Sequence, residues 1–138
     1  MKKFKKFLFS WFPAFFWMGF IYFLSSFHKL QASPVSWQDF VIRKTAHFLE
    51  YAILCLLYFR GLKNTTKISF KKSLILAFLM TVFYAFTDEF HQTKVNGRTG
   101  RIFDIGVDAL GAFFGMILAK KIFPCEGQTF NNDILVKK

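Results

Sequence analysis

An all-α, four-helix transmembrane bundle with both termini cytoplasmic is the fold the sequence predicts, on three observations. The 138 residues are 54% hydrophobic, include 22 Phe and have a mean hydropathy of +0.32, too apolar for a water-soluble domain of this size. The apolar residues fall into four runs joined by short polar connections. The basic residues lie between those runs, where a soluble nucleic-acid binder would spread them over a polar surface.

Residues 1–6 carry four lysines around Phe4, and residues 7–27 follow as an uncharged run of 21. A helix rising about 1.5 Å per residue crosses the roughly 30 Å hydrocarbon core over that length. A secretory signal begins the same way, but its apolar part is about 7–15 residues and ends at a small-x-small site. Leu30-Gln31-Ala32 is a poor one, so a retained first helix is expected, with Pro13 early enough for a membrane helix to tolerate its kink. Residues 28–38, with Pro34 and two serines, read as a loop.

The second helix is expected over residues 45–59, interrupted by His47 and Glu50 and bounded by Arg43, Lys44 and Arg60; residues 61–72 then form a basic loop. The third, over 73–91, starts with a charge-free stretch and closes in Thr87-Asp88-Glu89-Phe90-His91-Gln92. Residues 93–102, with Gly97 and Gly100, form a turn-rich connection. The fourth helix covers 103–122 and stops at Lys120, Lys121 and Pro124. Residues 1–124 thus make one membrane domain, and 125–138 a polar tail expected to be poorly ordered. Cys55 and Cys125 have neither metal-site spacing nor the density of a disulfide framework.

Orientation follows from charge, because Lys and Arg are enriched in short cytoplasmic loops. With both termini inside, the inner side holds thirteen of the nineteen basic residues against Glu126 and Asp133, whereas the outer side balances six basic and six acidic. The net charge of +11 is therefore a topology signal with some attraction for anionic inner-leaflet lipid. Nucleic acid is not an expected partner.

This topology brings the polar ends of helices two, three and four to one side. Arg43, Lys44, His47 and Glu50 descend the second helix, Tyr84, Asp88, His91 and Gln92 ascend the third, and Asp104 and Asp108 enter on the fourth, each set spaced along one helical face. Glu50 and Asp108 lie roughly 15 and 18 Å from Arg60 and Lys120, near mid-membrane, and Asp88 roughly 24 Å from Lys72. A polar cleft open to the outside is expected. The plainer reading is a set of ion pairs, Arg43 or Lys44 with Asp88 and Arg98 with Asp104, that only locks the helices. Small residues achieve that more simply, and the fourth helix already offers Gly111-Ala112-Phe113-Phe114-Gly115, a GxxxG face.

Lys44-Thr45-Ala46-His47-Phe48-Leu49-Glu50-Tyr51, Asp88-Glu89-Phe90-His91-Gln92, Gly97-Arg98 and Asp104-Ile105-Gly106-Val107-Asp108-Ala109-Leu110-Gly111 resemble, in order and spacing, the VanZ-like family of small bacterial membrane proteins. Asn96 stands where a proline is common in that loop. The family takes its name from a protein associated with teicoplanin resistance, so the resemblance implies a multi-pass protein of the bacterial cytoplasmic membrane with a role at the cell envelope. The matching positions Lys44, His47, Glu50, Tyr51, Asp88, Glu89, His91, Gln92, Arg98, Asp104 and Asp108 carry over as a candidate binding site without assigned roles.

Two classes of function remain open. One is a non-enzymatic binding or remodelling protein, in which Lys44, Arg98 and Arg101 hold an anionic headgroup of a lipid-linked or cell-wall ligand, or a lipoglycopeptide. The other is a membrane-embedded hydrolase or transferase with His47, Asp88 and His91 as acid/base candidates. Ser25 and Ser26 are the nearest nucleophiles and read most simply as helix-end hydrogen bonding. The spacing matches no zinc signature, so no metal or other cofactor is expected. Tyr51 and Tyr84 stand at helical spacing from the polar set, while Trp11, Trp17 and Trp37 read as interfacial anchors.

Overall fold

The computed structural model describes residues 2–26, 36–94 and 102–123. Within them the chain is all helical: α1 (Lys2–Ser26), α2 (Ser36–Thr65), α3 (Phe70–Gln92) and α4 (Ile102–Ile122). Arg98, Arg101, Asn96 and the tail lie outside the described residues.

Helix α2 is much longer than its apolar run. It starts nine residues before position 45 and ends six after position 59, so most of the basic stretch expected as a loop is helix. At its start, Asp39 and Arg43 form an (i, i+4) ion pair of 2.6 Å, a spacing that supports a helix. Toward its end, Gly61 and Leu62 are buried, and a β-carbon at Gly61 would stand 3.1 Å from the Trp11 ring. Packing therefore holds a segment that hydropathy alone assigns to solvent. The connection to α3 is only residues 66–69, closed by Ser69, whose hydroxyl accepts from the Lys72 amide at 3.4 Å as N-cap.

The helices alternate in direction. Ser25 at the end of α1 meets Asp88 at the end of α3, and Lys44 near the start of α2 meets Asp104 at the start of α4. At the opposite end, Trp11 donates to Thr65 at 3.0 Å, and Phe59 packs against Phe70 and Phe123 at 5.2 and 5.5 Å. Helix α2 packs against all three others, and α1 and α4 share no contact among the described residues. Its buried Tyr51, Leu54, Cys55, Tyr58, Phe59 and Leu62 form the central core.

The closest crossing is that of α2 and α4. β-carbons at Gly111 and Gly115 would overlap the backbone carbonyls of Phe48 and Ala52, two glycines four apart meeting two residues four apart. This is the small-residue contact that lets membrane helices approach closely. Trp11 and Trp17 are half-buried and pin α1 to α2, Trp17 by donating to the Glu50 carbonyl at 2.9 Å. That differs from the interfacial role their sequence positions suggest, because their indole N–H groups find partners inside the bundle.

The outer surface is apolar, with Phe9, Phe12, Phe16, Phe83, Phe90 and Leu110 exposed. Two helices, over Lys3–Ser26 and Phe70–Gln92, are long and apolar enough to cross a membrane. The bundle is polarised in charge. All six acidic residues among the described ones lie toward the end where α1 and α3 finish, while Lys5, Lys6, Arg60, Lys63, Lys67, Lys71, Lys72, Lys120 and Lys121 lie toward the other.

Candidate functional site

The ionisable end of the bundle is built from all four helices and divides into two seams. Between α1 and α3, Asp88 is buried to 2% exposure and its Oδ2 accepts two hydrogen bonds, from Ser25 Oγ at 2.9 Å and Gln92 Nε2 at 2.7 Å. Gln92 also approaches Ser25 Oγ at 3.3 Å. One turn of α3 brings His91 and Gln92 level with Asp88, and Gln92 at i+4 reaches its carboxylate directly. No cation touches Asp88 among the described residues. The expected pairing of Arg43 or Lys44 with it is not made: Arg43 is taken by Asp39 and Lys44 by Asp104, across a different seam.

His91 lies on the same seam, half-buried, with its ring centroid 4.4 Å from that of Tyr22 and Nε2 3.2 Å from Ser26 Oγ. The Ser26 hydroxyl donates to the Tyr22 carbonyl at 2.7 Å. Since a serine has one hydrogen to give, its oxygen accepts from His91. That polarity is the reverse of a base activating a nucleophile.

Between α2 and α4, the Lys44 ammonium pairs with Asp104, and His47 Nδ1 lies 3.4 Å from Asp108 Oδ1, whose side chain is fully buried. Tyr51, one turn below His47 and completely buried, stands between the seams. Its ring is 6.3 Å from that of His47 and 6.4 Å from that of Tyr84, and it interacts electrostatically with both Asp88 and Asp108. His47 in turn feels the charges of Asp108, Glu50 and Asp88. Tyr84 donates to the Met18 carbonyl at 2.6 Å, which holds α1 against the cluster. Glu89 is buried and Glu50 half-buried in the same region.

The structure therefore brings together Lys44, His47, Glu50, Tyr51, Asp88, Gln92, Asp104 and Asp108, with His91 at the edge; Arg98 lies outside the described residues. Among the described residues, no three His, Cys, Asp or Glu side chains converge to hold a metal ion. The residue that sequence reasoning undervalued is Ser25, buried to 3% exposure and bonded to Asp88. Its signal was positional: an alternating bundle must place the end of α1 beside the end of α3. Chemically, the end offers several buried acceptors, one ammonium group already paired, and two imidazoles.

A model of the family described as VanZ/LLP1 matches residues 5–124. No curated protein and no solved structure matches the chain.

Proposed function

The chain belongs to the VanZ/LLP1 family and is a helical membrane protein, and from that premise we propose that it spans the bacterial cytoplasmic membrane four times, with the ionisable end facing outward as a binding site at the cell envelope. The observation that carries this reading is the burial at that end: Asp88, Glu89 and Asp108 are 2, 4 and 1% exposed. Ionisable groups inside a membrane bundle are expensive, so they tend to mark function, and the glycine contact already supplies close docking of α2 and α4. The charge polarity supports the orientation, since the lysine-rich end fits the cytoplasmic side. The ligand class is a lipid-linked or cell-wall component, or a lipoglycopeptide such as teicoplanin, and the cellular outcome is altered susceptibility to such antibiotics.

Near-isosteric substitution tests this. Asp88→Asn and His47→Gln are expected to leave membrane abundance and thermal stability largely intact while abolishing the change in susceptibility that the wild-type chain confers; Lys63→Gln and Lys67→Gln, at the opposite end, should change neither. Full activity in both cluster variants would overturn the proposal. Loss of protein in step with loss of activity would assign the cluster to bundle stability alone.

A second reading, a membrane-embedded hydrolase or transferase, is favoured by one contact: the Ser25 hydroxyl donates directly to the buried Asp88 carboxylate, so the serine oxygen is polarised. Turnover of labelled envelope lipids by purified protein, lost in Ser25→Ala, would establish it over simple binding.

A further inference from the structure

At the basic end, Ile68 in the connection between α2 and α3 and Lys72, Ile75, Leu76 and Leu79 of α3 line a groove of about 260 Å³. The four α3 positions recur at three- and four-residue spacing and so share one helical face, opposite the buried Ser73, Ala77 and Thr81. The lining is wholly apolar, Lys72 contributing its methylene stem while its ammonium group stays free to reach headgroup level. From Lys72 to Leu79 the groove runs roughly 10 Å along the helix. That lies within the roughly 15 Å that one leaflet contributes to the hydrocarbon core.

Positive charge gathers at its mouth. Lys67 and Lys71 precede Ile68 and Lys72 in the chain, and all of Lys63, Lys67, Lys71 and Lys72 are exposed. None of them pairs with a carboxylate among the described residues, whose six acids all lie toward the other end. The first turn of α3 holds no acid either.

We propose that this groove is a binding site for an anionic phospholipid, in which one acyl chain lies along Ile75, Leu76 and Leu79 while the headgroup phosphate rests against Lys72, with Lys67 and Lys71 adding to the attraction. Groove and lysines each select half of that molecule. A wholly apolar groove offers no hydrogen bond to a polar solute, and a neutral lipid leaves the ammonium groups without a counter-charge. A second copy of the chain fits less well, because a two-fold contact through this face sets lysine against lysine. The proposal assigns the attraction of the basic end for anionic lipid to one face of one helix. It goes beyond the functional reading and is independent of the ligand at the acidic end and of which side of the membrane either end faces.

Photo-labelling of the full chain reconstituted in phosphatidylcholine vesicles tests it. The probes are phosphatidylglycerol and phosphatidylcholine, each with a photoreactive group in its acyl chain, and labelled positions are mapped by peptide mass spectrometry. The phosphatidylglycerol probe is expected to label residues 68–79 roughly fivefold or more above the phosphatidylcholine probe, about the factor that one lysine contributes near an anionic headgroup. Lys71→Gln with Lys72→Gln should bring the two probes level, and Leu76→Trp, which fills the groove at an exposed position, should lower labelling at Ile75 and Leu79 with the lysines intact. Lys120→Gln with Lys121→Gln, the same change of charge at the same end, should leave the preference unchanged. Equal labelling of the wild-type chain by both probes would overturn the proposal. So would a preference that survives loss of Lys71 and Lys72, one that falls as far in the Lys120 and Lys121 variant, or cross-linking of two copies through residues 68–79.

Discussion

Asp88 shows how this chain treats a buried charge: it surrounds one oxygen with neutral donors, Ser25 and Gln92, and supplies no cation to it among the described residues. A hydrogen bond to a charged group contributes more than a neutral pair, about 1.5–3 kcal/mol. Ser25→Ala is therefore expected to lower stability by roughly that amount, read as a fall in melting temperature of the purified protein. Ser26→Ala, at an exposed position where the hydroxyl mainly returns to its own helix, should be close to neutral in the same assay. The acids and histidines of the cluster were legible in the sequence because they interrupt apolar runs, where any charge stands out. Ser25 was not, because a serine at a helix end has a sufficient local explanation and its partner is 63 positions away. The pairing of Lys44 with Asp104 was equally hidden, since spacing along each helix does not say which seam a side chain enters.

At the scale of elements, the crossing of α2 and α4 determines the geometry of half the site. His47 and Asp108, and Lys44 and Asp104, meet across the same seam that Gly111 and Gly115 bring into contact with Phe48 and Ala52. Gly111→Leu or Gly115→Leu must push the helices apart, an overpacking cost of roughly 1–3 kcal/mol, and should lower the melting temperature of the purified protein. Gly106, on the same helix with nothing within 4 Å of its would-be β-carbon, is the control. Gly106→Ala should be neutral or stabilising by up to about 1 kcal/mol through helix propensity. The GxxxG face could be read directly from residues 111–115, and the centres of all four helices from hydropathy. The length of α2 could not, because residues 36–44 and 60–65 are polar and become helical through the Asp39–Arg43 pair and the burial of Gly61 and Leu62 beneath α1.

For the whole molecule, alternating helices and a one-sided distribution of lysines make a bundle with two unlike ends, one basic and solvent-facing, the other rich in acids that turn inward. The sequence already contained this polarity, because counting charges between apolar runs needs no three-dimensional information; the partition of the acidic end into two seams joined at Tyr51 required the packing of α1 and α4 on different sides of α2. The proposed function requires the acidic end to face outward. The most direct measurement is labelling of single cysteines in intact cells with a membrane-impermeant thiol reagent, in a chain carrying Cys55→Ala and Cys125→Ser. Gln31→Cys and Asn96→Cys, in the segments that follow α1 and α3 in the sequence, are predicted to react from outside, and Asn64→Cys, at the basic end of α2, to react only after the membrane is permeabilised. Labelling of Asn64→Cys in intact cells, with Gln31→Cys and Asn96→Cys protected, would contradict it.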